Sequence, residues 1–128
     1  MHVTGKGKND IPEKQGYQPV EFTNDIGDLF AAADLVVSRA GAGAICELTY
    51  LKKPLLLIPL SRSASRGDQL DNAEYARNFG ARVLYEENLS EESFINEIYR
   101  TTVPTRPVSC AGNRTIARIL TSFAKGGK

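Results

Sequence analysis

Residues 35–51, LVVSRAGAGAICELTYL, constrain the fold of this chain more than any other stretch. The opening LVVS is apolar and β-branched with no helical spacing, which suits a short strand buried on both faces of a parallel sheet. Residues 39–43 then bring two glycines and two alanines, small enough for backbone to approach a ligand, and AICELTYL continues as a helix. A strand that enters a glycine-bearing turn and then a helix start points unpaired N–H groups and a positive dipole end off the carboxyl edge of the sheet. Such an edge suits an anion, and phosphate is its commonest occupant.

Taken alone, a Gly-x-Gly between strand and helix also serves mere tight turning and close packing. Glu47 bears on the choice. Placed in the first helical turn, it could complement the dipole, but Ala44, three residues earlier, has no hydroxyl to complete a capping box with it. The functional alternative is a carboxylate that accepts hydrogen bonds from the two hydroxyls of a ribose, beside a diphosphate held at the helix end.

Alternating short strands and helices give an α/β domain with a mostly parallel sheet. Residues 2–5 read as the tail of a strand before a Gly/Lys-rich loop, so the chain reads as starting inside a fold. His2, the only histidine, is read as structural, and the loop lysines as solvated. Residues 19–22 form a second strand, and Thr23 or Asn24 caps a helix bearing Ile26, Leu29, Phe30 and Ala33. Phe22 at that strand's end suits the core, or else covers one face of a base while backbone at Thr23 reads its edge.

Residues 54–60, PLLLIPL, are the most apolar run and a buried strand. The polar loop 61–67 follows, with Arg62 and Arg66 as either solvated cations or anion ligands. Asp68 then opens a helix with Leu70, Ala73, Ala76 and Phe79 as its packed stripe, stopping at Gly80. Gln69 and Asn72 share one face of its first turn, as plain surface amides with Asp68 the cap, or as donors and acceptors for sugar hydroxyls. Residues 81–85 make another strand, and Ser90 caps a helix carrying Phe94, Ile95, Ile98 and Tyr99. A proline-containing connection at 101–107 precedes a last helix with Ile116, Ile119, Leu120 and Phe123.

The chain has 128 residues, the size of one domain, with sixteen basic and fifteen acidic side chains interspersed and a net charge of +1. That balance argues against a nucleic-acid surface. Cys46 and Cys110 match neither a disulfide framework nor a metal motif and read as reduced thiols. No cofactor motif is present, no apolar run reaches membrane-spanning length, and MHVTGKGKND lacks a signal-peptide core.

The ordered combination SRAGAGAICEL, KKPLLLIPL, a polar loop, DQLDNAEYARNFGA and RVLYEE resembles the C-terminal, donor-binding domain of MurG-like transferases, in the GT-B glycosyltransferase superfamily. The likeness runs from HVTGKG to the last helix. It implies a Rossmann-like three-layer α/β domain, forming an incomplete half of a two-domain enzyme. It also implies inverting transfer of N-acetylglucosamine from UDP-N-acetylglucosamine to a diphospho-undecaprenyl muramoyl-pentapeptide. By the same resemblance, Phe22 covers the uracil and Thr23 backbone reads it. Glu47 binds the ribose, while Arg39, Gly41, Ala42 and Gly43 face the diphosphate and sugar. Gln69 and Asn72 match the family's sugar-binding helix. Asp68 departs from the His or Gln common there, and the preceding loop is longer than in some relatives.

Nothing matches the family's acceptor domain with its general base, nor the donor domain's first strand–helix unit, so no catalytic residue is assigned. The lipid-linked acceptor and the membrane surface are expected to be met through that missing part, on the cytoplasmic face of a bacterial plasma membrane. Two rivals remain: a small subunit working with a membrane-anchored partner, and a nucleotide-binding module without transfer chemistry.

Overall fold

Two hydrogen-bonded sheets, both parallel, organise the computed structural model, which describes residues 1–8, 12–65 and 67–102. The expected last helix, most of the 101–107 connection, Cys110 and Arg66 lie outside the described residues. The chain divides into two units, Met1–Ala32 and Ala33–Lys128.

In the first unit, β1 (His2–Val3) pairs in parallel with β2 (Pro19–Val20), His2 opposite Pro19 and Val3 opposite Val20. The chain between them closes through an antiparallel bridge of Lys14 with Tyr17, where Gly16 takes a φ of 80° that disfavours side chains. His2 Nδ1 meets the Tyr17 hydroxyl at 2.8 Å, a structural pairing. Strand β2 ends two residues earlier than its sequence suggests. Phe22 lies beyond it and is 65% exposed, so the core reading of this ring is wrong. α1 (Ile26–Ala32) follows, and the residue at its boundary is Asp25 rather than Thr23 or Asn24. The Asp25 carbonyl accepts from Asp28 and Leu29, while the Asp25 N–H donates to Thr23 Oγ1 at 3.0 Å, a hydroxyl turn that sets the helix entry.

The second unit is a run of β3 (Val36–Ser38), α2 (Ala42–Tyr50), β4 (Leu55–Leu57), α3 (Asp68–Arg77), β5 (Arg82–Val83) and α4 (Glu91–Arg100). Its sheet order is β3-β4-β5, all parallel, with Val36 opposite Leu55 and Leu57 opposite Val83. The ladder continues past the strand ends, Ile58 N–H to the Ser38 carbonyl and Leu84 N–H to the Leu57 carbonyl, each at 2.9 Å. β4 is central, and its three leucines are wholly buried, each contributing roughly 2 kcal/mol of burial. β3 was expected to be covered on both faces. Instead Val37 is 40% exposed, so one face is partly open, and among the described residues β4 is its one ladder neighbour.

α2 packs through Ile45 and Leu48, and the buried Thr49 hydroxyl is satisfied by the Ile45 carbonyl at 2.6 Å. The helix closes in a Schellman motif, with Lys53 N–H to Leu48 O and Lys52 N–H to Thr49 O, so Lys52 stands at φ 54° where glycine is usual. α3 closes the same way, with Gly80 at φ 100°. Its buried stripe is Ala73 and Ala76. α4 opens on a reciprocal Ser90–Ser93 capping box. Arg82 grips Glu97 with two bonds of 2.7 and 2.8 Å, joining β5 to α4. Phe94 and Ile98 are half-buried on α4, whereas Ile95 and Tyr99, expected on the same apolar face, are exposed. Among the described residues no helix is long and apolar enough to cross a membrane.

Candidate functional site

Because β3, β4 and β5 run parallel, their exits open on one edge of the sheet, and each exit carries polar or small residues. The β3 exit is the Arg39-Ala40-Gly41 bend into α2. Gly41 occupies the cap position with φ −72° and ψ 135° and supplies no side-chain cap. The first bond across this end is Ile45 N–H to the Gly41 carbonyl at 3.1 Å, so the N–H groups of Ala42, Gly43 and Ala44 precede the helical ladder.

Neither glycine here is required by the protein's own backbone. Among the described residues, a Cβ on Gly41 or Gly43 would meet no atom within 4 Å beyond its chain neighbours and its own helix, and neither residue has a positive φ. Ala42 and Gly43 are exposed. The first turn of α2 also contains no acid, whereas α3 has Asp68 and Asp71 in its first turn to complement its dipole. The positive end of α2 is thus left uncompensated by its own first turn.

Glu47 is the sixth residue of α2, not a first-turn residue as its sequence position suggested, which removes the dipole-only account. It is exposed, and by helical spacing it lies on the same face as Gly43 and Ala44, which stand one turn nearer the helix start.

The amides of α3 face the bends on either side. Asn72 Nδ2 donates to the Ala40 carbonyl at 3.1 Å, and Gln69 Oε1 accepts from Leu60 N–H at 3.1 Å. Backbone chemistry fixes both orientations, since a carbonyl only accepts and an N–H only donates. Gln69 therefore retains its NH2 group as a donor, and Asn72 its Oδ1 as an acceptor. The surface-amide reading of this pair is overturned: both are half-buried and tied to loop backbone. Asp68 is not the cap of α3. That position belongs to Gly67 at φ 92°, with the Arg62 guanidinium 3.3 Å from where its Cβ would stand.

Arg39 NH1 donates to the Ile58 carbonyl at 3.1 Å and to Glu86 at 2.6 Å, so its charge is already engaged at the β4 and β5 exits. The other Glu86 oxygen accepts from Ser61 N–H at 3.2 Å. These two contacts hold the Glu86 carboxyl below the usual carboxylate range, the Arg39 bond being the larger cause. Glu86 was not singled out from the sequence. Its partner is 47 residues away, and no local spacing marks the pair. Among the described residues no group of three or more His, Cys, Asp or Glu could hold a metal ion.

A family model described as the glycosyltransferase family 28 C-terminal domain matches residues 1–107. The chain belongs to that family. Family 28 relatives include the UDP-N-acetylglucosamine–N-acetylmuramyl-(pentapeptide) pyrophosphoryl-undecaprenol N-acetylglucosamine transferase of Geobacillus kaustophilus, 50% identical over 104 residues, covering 78% of this chain and 29% of the relative. The transferase of the same name from Oceanobacillus iheyensis is 51% identical over 96 residues, 73% of this chain and 27% of its own length. The crystal structure of Acinetobacter baumannii MurG superposes with a TM-score of 0.55 at 25% identity, over 65% of this chain and 24% of that one. The chain thus spans under a third of the length of these relatives, and its family 28 membership establishes the Rossmann-like α/β architecture expected from the sequence.

Proposed function

We propose that these residues form the donor-binding part of an inverting glycosyltransferase that moves N-acetylglucosamine from UDP-N-acetylglucosamine to a diphospho-undecaprenyl muramoyl-pentapeptide. The observation that carries the reading is the acid-free start of α2, which has no side-chain cap and where, among the described residues, a Cβ on either glycine would enter open space. Its amides receive the diphosphate, Glu47 the ribose hydroxyls, and the Gln69 and Asn72 amides the sugar. The family resemblance alone assigns Phe22 and Thr23, in the first unit, to the base; the Phe22 ring is exposed.

Inverting transfer requires a base for the acceptor hydroxyl's proton and stabilisation of the departing diphosphate. Residues 1–128 are assigned the second task only. Preorganised amides at a helix start need no rearrangement as negative charge develops on the leaving group, which is how they would lower the barrier. No acceptor contact is assigned to this chain. The reading puts the protein in the cytoplasm, peripheral on the inner face of a bacterial plasma membrane, with the acceptor reached through other parts of the enzyme.

Calorimetric titration with UDP-N-acetylglucosamine, UDP and uridine tests this. Affinity should fall in that order, with the large step on losing the diphosphate, and Glu47→Ala should weaken all three ligands. Equal affinity of wild type and Glu47→Ala would remove Glu47 from the site, and an absence of UDP binding would remove the assignment.

A further inference from the structure

We propose that Glu86 is a positioning residue for the donor site, a single carboxylate from the β5 exit that sets the separation of the two loops between which the donor lies. One oxygen holds Arg39, at the bend entering α2, and the other holds the Ser61 N–H, in the loop leaving β4. Arg39 closes the triangle by donating to Ile58 O on that same β4 exit. Three strand exits are thereby locked by one ion pair and two backbone contacts. The bend bearing Gly41 and Gly43 follows Arg39 directly, and the loop after Ser61 leads to Gln69 and Asn72.

This rests on the donor-binding reading above but adds a role to a side chain that need not touch the ligand. Preorganisation is the physical reason for it. Loops fixed before binding lose less freedom when the ligand arrives, and an off-target separation of about 1 Å is enough to weaken multipoint recognition. Its bonds to Glu86 and the Ile58 carbonyl also occupy the Arg39 guanidinium at the bend before the α2 start. The positive potential there then comes from backbone dipoles whose geometry does not vary.

The test is calorimetry of wild type, E86Q and E86A in the full chain with UDP-N-acetylglucosamine, together with amide resonances of residues 40–43 and Ser61 recorded without ligand. E86Q keeps the shape but can accept at only one of its two positions, and E86A at neither. Binding should weaken by about three- to tenfold in E86Q and further in E86A, a modest range because the pair is partly solvated. The amide signals of Ser61 and of residues 40–43 should move in the ligand-free variants while those of β4 stay in place, a signature that a general loss of stability does not produce. Thermal midpoints ensure that affinities are read from folded protein. Unchanged affinity, or unmoved amides at 40–43, overturns the inference. So does tighter binding, which would mean that Glu86 competes with the diphosphate for Arg39. Wild type that fails to bind overturns the donor reading itself, a result distinct from a wild type that binds and variants that bind equally.

Discussion

The Nδ2 group of Asn72 donates to the main-chain carbonyl of Ala40 across 3.1 Å, tying α3 at its fifth residue to the bend that leaves β3. Ala40 is completely buried, so its carbonyl has no solvent to fall back on. Asn72→Asp sets a carboxylate against that oxygen and should destabilise the fold by about 1–2 kcal/mol, the cost of a buried acceptor left without a donor. Urea unfolding at neutral pH measures this. An unchanged midpoint would show that the contact contributes nothing.

Gly43→Ala separates folding from binding. The residue lies in the first turn of α2, and its added methyl enters open space, so stability should rise by roughly 0.5–1 kcal/mol. UDP-N-acetylglucosamine affinity should drop, because the methyl occupies the space a diphosphate needs. If thermal stability and affinity both rise, the ligand does not approach the backbone here.

Lys52 and Gly80 hold equivalent positions in two Schellman closures, and only Lys52 bears a side chain in the left-handed region. Lys52→Gly should stabilise the chain by about 0.5–1 kcal/mol through relief of that conformation, net of the entropy a glycine adds to the unfolded state. Chemical denaturation should show it, with nucleotide affinity unmoved.

Glu86 links stability to pH. Its folded carboxyl titrates below its unfolded value, so the stabilisation is present in full above the ordinary carboxylate range and is lost as pH falls through the folded value. The stability difference between wild type and E86Q should be constant from neutral pH down to about 5 and shrink below that. A difference that persists unchanged into acid would show that the carboxylate charge is not what holds Arg39.

Much of this fold was legible in order of strength of local pattern. The buried strand inside PLLLIPL, the glycine-bearing bend and the Ser90 start each carry their reason within a few neighbouring residues, though the strand itself covers only Leu55–Leu57. Strands were read too long at 19–22, 54–60 and 81–85, where the structure has strands Pro19–Val20, Leu55–Leu57 and Arg82–Val83, since apolar character persists beyond the paired segment. The work of Gln69 and Asn72 was not legible. Their helix face was, but their partners Leu60 and Ala40 come from other elements, and the choice between solvent and backbone is made only by tertiary placement. Arg39 and Glu86 show the same limit, since ordinary surface charges become a lock only where parallel strands bring their exits together.

The pinned carboxamides of α3 also make recognition one-way. Hydroxyls can satisfy either station because they turn to give or take a proton, but fluorine only takes. Under the proposed reading, a deoxyfluoro sugar would be accepted opposite the Gln69 NH2 group and refused opposite the Asn72 Oδ1. The helix would thereby distinguish two ring positions that differ in neither size nor shape.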